Sequence, residues 1–137
     1  MVLYRQKRSL DYLKFTFGIN SNAQTQKPDS LKQQLTLKLP DTSRLNTLVR
    51  LGYYYQDSKP DSLLYYAKQV LALAQHINNL KMISVAYSLI GEYEYITGNY
   101  SIALQWLFKS LQLAENINDS SRIANSNNLL GNCYKEY

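Results

Sequence analysis

Apolar residues recur at three-and-four spacing through the second half of the chain. Ile83, Ala86, Tyr87, Ile90 and Tyr93, with Glu94 and Tyr95 alongside, mark one face of a helix. Ile102, Ala103, Trp106, Leu107, Ser110, Leu111 and Ala114 mark a second. Between them Thr97-Gly98-Asn99 reads as a turn, with a glycine free to take positive φ. Asn118-Asp119-Ser120-Ser121 closes this pair and offers N-cap oxygens to a following helix. The preceding stretch has the same plan. Asp41 or Thr42 opens a helix, Pro60 suits the first turn of the next, and Asn78-Asn79 ends it. Further upstream, Pro28–Lys38 predicts a short helix with Leu31 and Leu35 on one side, stopped by Pro40. It is placed to cap the open end of the first helix pair.

These elements repeat. LALAQHINN, from Leu71, and LQLAENIND, from Leu111, lie 40 residues apart and agree at five of nine positions. Gly52, Gly91 and Gly131 follow spacings of 39 and 40, each after an aliphatic residue: Leu51, Ile90 and Leu130. A period in this range is the mark of stacked supersecondary units that bury their apolar faces only against neighbours. The units run over about 42–80, 81–119 and 120–137, the third incomplete. The connection before Leu63 is one residue shorter than its counterpart in the second unit. Gly91 and Ala103 are expected to face each other within one hairpin, letting the backbones approach to about 8 Å.

The segment Ala86–Ala114 resembles a tetratricopeptide repeat. Tyr87, Ile90, Gly91, Gly98, Tyr100 and Ala103 fall on that family's aromatic, aliphatic, glycine and alanine positions. Leu51, Gly52, Tyr55, Leu63 and Leu71 fit the first unit less fully, with Leu63 in place of alanine, and Leu130, Gly131 and Tyr134 fit the third. Glu94 stands where the family usually has a tyrosine, and the period exceeds the 34 typical of the family. The resemblance implies an all-α fold over 41–137. Its antiparallel hairpins would stack as a right-handed superhelix of about two and a half repeats. A HEAT-like helical repeat is the alternative. The order DSLKQQL, DTSRLNTLVRLGYYY, PDSLLYYAKQVLALA further resembles the extracytoplasmic sensor regions of bacterial histidine kinases and related regulators built on such repeats.

Charge narrows the classes of partner. The net charge of +5 resides in residues 1–40, where seven Lys and Arg stand against Asp11 and Asp29. Residues 41–137 hold eight basic and eight acidic side chains, so the repeat body lacks a phosphate-tracking stripe and is not expected to bind nucleic acid. Residues 1–27 form a basic leader: Arg5, Lys7 and Arg8 suit the start of a signal segment, and Ser21-Asn22-Ala23 a cleavage site. Asp11 and Lys14 interrupt its apolar core, leaving Phe15, Phe17 and Ile19. Such a signal would place the body outside the cytoplasm, and its failure would keep it inside, the alternatives being a disordered basic leader or a misplaced start site. No run approaches the roughly 20 apolar residues of a membrane span.

One Cys and one His exclude an all-protein zinc site and an intrachain disulfide. The five glycines make no phosphate-cradling loop, and Glu92 and Glu94 diverge by about 200° around their helix. His76 lacks phospho-acceptor surroundings and is matched by Asn116 in the next unit. It reads as a polar residue near a helix C-terminus. Cys133 reads as a small core residue and Trp106 as hairpin packing. No catalytic group, cofactor site or metal site is expected, and the chain is not read as an enzyme.

Surface recognition remains. In tetratricopeptide arrays the first helices line a concave groove for a peptide or helix. Counting from each glycine, the resemblance assigns Asn46, Val49, Tyr53 and Gln56 to that groove from the first unit. It assigns Val85, Ser88, Glu92 and Tyr95 from the second, and Asn125, Asn128, Asn132 and Lys135 from the third. Tyrosines and amides there suit stacking and backbone hydrogen bonds. On the third unit, Ile123, Leu130, Tyr134 and Tyr137 form an apolar stripe expected to pack back on the second. Leu129 and Cys133 are expected to be partly uncovered. Those two favour a fragment of a longer sensor protein. A second copy stacking on the open unit is the remaining reading.

Overall fold

The computed structural model describes residues 27–137. The leader read in residues 1–26 lies outside them. Six helices follow one another with no strand among the described residues: α1 Pro28–Leu35, α2 Asp41–Tyr55, α3 Pro60–His76, α4 Leu80–Ile96, α5 Tyr100–Asn116 and α6 Ser120–Glu136. Each helix packs chiefly on its sequence neighbours, and α4 also touches α6. A four-residue connection between α2 (15 residues) and α3 (17 residues), and a three-residue one between the 17-residue α4 and α5, make the chain double back, so α2/α3 and α4/α5 are helical hairpins. Pro60 opens α3 as expected, and Asp41 is the first residue of α2, behind Pro40.

Three of the turns share one backbone device. Asn78, Gly98 and Asn118 sit two residues past the ends of α3, α4 and α5, with φ of 54°, 86° and 53°. Each donates to a carbonyl three residues back (Gln75, Tyr95, Glu115). The following residue donates to one five back (Ala74, Glu94, Ala114) at 2.8–3.0 Å. These paired bonds satisfy helix-end carbonyls that would otherwise lack donors. The next helix starts at once: Asn79 accepts from the Met82 amide at 3.1 Å and Asp119 from the Arg122 amide at 3.0 Å. The α2–α3 connection differs. It has no left-handed residue, Gln56 stays right-handed, and Lys59 N–H donates to Tyr55 O at 2.8 Å.

Leu45, Leu48, Leu51, Leu63, Ala67, Val70, Ala86, Leu89, Ala103 and Leu107 form the middle of a continuous core. A Cβ at Gly91 would lie 2.8 Å from Leu107 Cγ and Cδ2 and 3.4 Å from Ala103 O. The close approach is therefore to the Leu107 side chain as well as the Ala103 backbone. Gly131 differs, because a Cβ there would meet nothing within 4 Å. The repeat-marking glycine of the third unit has no tight neighbour to accommodate. Three serines join α4, α5 and α6. Ser84 Oγ donates to Ser110 O at 3.0 Å, Ser110 Oγ donates to Ser84 O at 2.8 Å, and Ser126 Oγ lies 3.1 Å from Ser110 Oγ.

Helix α1 docks on α2 with Leu31 buried to 2% exposure. Arg44 donates from both terminal nitrogens to Leu35 O and Leu37 O, each at 3.2 Å. Lys32 Nζ, near its other end, lies 5.3 Å from the Tyr55 ring centroid. So α1 runs antiparallel to α2, and Pro28 lies toward the Tyr55 end.

The third unit corrects two expectations. Tyr134 and Tyr137 are 56% and 75% exposed, whereas Leu129 and Cys133 are buried at 3% and 0%. Helix α6 is rotated so that Leu129, Leu130 and Cys133 face the core, so the uncovered pair that favoured a fragment is in fact covered. On α5, Ile102 is 45% exposed rather than packed.

Candidate functional site

Positions six and three residues before each glycine, and one and four after it, span one edge of α2, α4 and α6, about 40–120° round the helix from the glycine. The glycines of α2 and α4 point at their own hairpin partners, toward Leu63 and Tyr66 and toward Leu107. This edge therefore looks elsewhere. Of the twelve residues assigned to it, Asn46, Asn128 and Lys135 are exposed, and Tyr95 and Asn132 are half-buried. The other seven are not open surface: Val49, Val85 and Ser88 are at 0%, Tyr53, Glu92 and Asn125 at 2%, and Gln56 at 8%. Open groove positions were expected there, and burial is the finding.

Burial follows a slanted track. On α2 it covers Val49, Tyr53 and Gln56; on α4, Val85, Ser88 and Glu92; on α6, Asn125. The covered stretch moves toward the helix N-terminus by about one turn from each helix to the next.

Polar chemistry is concentrated on this track. Gln56 Nε2 donates to Glu92 Oε2 at 2.8 Å, linking the end of α2 to α4. Arg122, 1% exposed, reaches from α6 to donate through Nη2 to Ser88 Oγ at 2.7 Å. Its Nε and Nη1, and both polar atoms of the Asn125 amide, are buried without a hydrogen-bond partner. Burial pushes the Arg122 guanidinium below its ordinary pKa, and Tyr53, Asp119 and Glu92 act against that shift. Ser88 Oγ in turn donates to Val85 O at 2.8 Å. Arg122 escapes a reading confined to groove positions counted from the glycine, because it lies nine residues before Gly131. The available signal was the lone arginine of α6, in its first turn.

The residues weighed individually fall into place. His76 is exposed at the end of α3. Cys133 belongs to the core. The Trp106 ring lies 5.6 Å from that of Tyr87, with Lys109 Nζ 4.6 Å from its centroid. A tyrosine group on the first hairpin was not singled out beforehand. Tyr55 stacks on Tyr66 at 6.0 Å, flanked edge-on by the exposed Tyr54 and Tyr65.

Among the described residues no three His, Cys, Asp or Glu side chains gather as a metal site. None of their helices is long and apolar enough to cross a membrane. Comparison of the chain with family models, curated proteins and solved structures finds no match.

Proposed function

We propose that this chain is a protein-interaction module of the tetratricopeptide kind, its hairpins wound into a right-handed superhelix. It binds a peptide or a helix across the first-helix edge of α2, α4 and α6. The observation that carries this reading is the Asn125–Arg122 pair. Asn125 lies buried on that edge and Arg122 lies buried one turn before it on α6, with donors and an acceptor unused. A purely structural core seldom retains such groups, because each costs about 1–3 kcal/mol when unpaired. A peptide backbone supplies the complementary carbonyls and amides.

A role as the sensor portion of a signalling protein rests on the DSL-containing order of the N-terminal elements. Self-association has its own support in the exposed Tyr134 and Tyr137 on the outer side of α6. A concentration-dependent dimer abolished by Tyr134→Lys would favour that reading.

The test uses the full chain against a random peptide library, followed by calorimetry on an enriched peptide. Asn125→Ala is expected to weaken that peptide about ten-fold, with Tyr95→Ala weaker still and the melting temperature of both variants close to the parent's. Failure to enrich any peptide would overturn the reading, as would affinity indifferent to both substitutions.

A further inference from the structure

Four tyrosines form an unbroken row across the first hairpin. Tyr54 meets Tyr55 edge-on at 5.1 Å, Tyr55 stacks on Tyr66 at 6.0 Å, and Tyr66 meets Tyr65 edge-on at 5.1 Å. The end rings are open, Tyr54 at 53% and Tyr65 at 62% exposure, while Tyr66 is buried and anchors the row in the core. Two cations converge on the middle of the row. Lys32 Nζ lies 5.3 Å and Lys59 Nζ 5.9 Å from the Tyr55 ring centroid, and both side chains are exposed. Among the described residues neither ammonium group has an ion-pair partner. The carboxylates nearby are placed otherwise. Asp29, on the same helix as Lys32, stands beyond ion-pair distance of it. Asp61 accepts from the Tyr93 hydroxyl at 3.5 Å, and Asp57 is already engaged.

We propose that this row is a second docking surface, for an extended proline-rich segment of a partner protein that carries one or two acidic side chains. Charge complementarity accounts for the acidic part. Two like charges held close to one ring repel each other, and a carboxylate beside them relieves that repulsion. Ring geometry accounts for the proline. The end rings stand at 85° and 74° to their neighbours in the stacked pair, so ring faces and edges alternate, as in the aromatic surfaces on which proline-rich segments dock. Such a segment is rigid before it binds and leaves its carbonyls unbonded, so the exposed tyrosine hydroxyls can donate to them at little cost in entropy. The row measures no more than about 16 Å between its end centroids, the reach of about five residues in that conformation. A single-stranded nucleic acid also stacks on aromatic rings, but it calls for a cationic groove that follows successive phosphates. Here both ammonium groups meet at one ring, with Asp29, Asp57 and Asp61 close by in sequence. An isolated acidic side chain fits that arrangement and a charged backbone does not.

The row belongs to α2 and α3 and includes none of the twelve edge positions, so it stands or falls separately from the proposed peptide edge. The test titrates the full chain, by calorimetry, with a twelve-residue peptide of repeated Pro-Pro-Glu. Saturable binding is expected, at least about ten-fold tighter than to Pro-Pro-Lys or Gly-Ser-Glu repeats of the same length. Tyr54→Ala with Tyr65→Ala should weaken it about ten-fold. Lys32→Gln with Lys59→Gln should do the same and flatten its dependence on salt. These four side chains are exposed, so the melting temperature should stay close to the parent's, and Asn125→Ala should leave this binding unchanged. Absence of saturable binding would overturn the proposal, as would equal binding of the Gly-Ser-Glu repeat or indifference to the tyrosine pair. A loss on Asn125→Ala would overturn it by moving the peptide to the α2, α4 and α6 edge. Tighter binding of a twelve-nucleotide oligothymidylate would overturn it in favour of nucleic acid.

Discussion

At Gly91 one missing methyl sets how closely α4 approaches α5, because Leu107 stands 2.8 Å from where a Cβ would lie. Leu107 is itself 1% exposed and hemmed in. Gly91→Ala is therefore expected to lower stability by about 1–3 kcal/mol. Gly131 occupies the same repeat position with open space around it. Gly131→Ala should be neutral or raise stability by up to about 1 kcal/mol, through the helix preference of alanine. Thermal melts of the two variants distinguish a glycine kept for packing from one that only shares a pattern. Equal losses at both would contradict the packing account. Asn118 is retained for a different reason, its φ of 53°. Asn118→Ala should cost about 1 kcal/mol and Asn118→Gly close to nothing. Comparable losses in both would instead place the role of Asn118 in its side chain.

Among the elements, the sequence made the helices and their order legible, because turn chemistry and apolar spacing agree at nearly every boundary. Pro60, Gly98, Asn78-Asn79 and Asp119 all stand where helices end or begin. The orientation of α6 was not legible. Ile123, Leu130, Tyr134 and Leu129, Leu130, Cys133 are both apolar stripes at helical spacing, and only the neighbouring α4 and α5 select the second. The small Ser126 brings its Oγ to 3.1 Å from Ser110 Oγ on α5. The Ser84–Ser110–Ser126 set was hidden for the same reason, because a serine on an apolar face declares no partner until the facing helix is known. Asn79 illustrates an element-level contribution: Asn79→Ala removes the bond to the Met82 amide. Chemical denaturation should show a loss of about 1 kcal/mol, with the mid-point moving and the slope constant. A changed slope would mean that α4 frays well beyond its first turn.

For the whole molecule, period and glycine register picked out one edge of α2, α4 and α6 but not which of its positions are covered. Counting from Gly52, Gly91 and Gly131 treats three units as equal, and they are not equal once covered. Seven of the twelve positions so assigned are buried, along a slant that no repeat-by-repeat count contains. The polar identity of Gln56, Glu92 and Asn125 was legible; their burial depends on elements placed by the tertiary fold. The exposed tyrosines on the first hairpin and on α6 show a related limit. Thirteen tyrosines suit half-buried faces in general, and composition says nothing about which rings stay in water.

The claim that function resides on the α2, α4 and α6 edge is tested most directly by backbone amide shift mapping of the full chain, titrated with a library-selected peptide. The account predicts the largest changes at Val49, Tyr53, Gln56, Val85, Ser88, Glu92 and Asn125, tracing the slant. Changes confined to α3 and α5, or to Tyr134 and Tyr137, would contradict it.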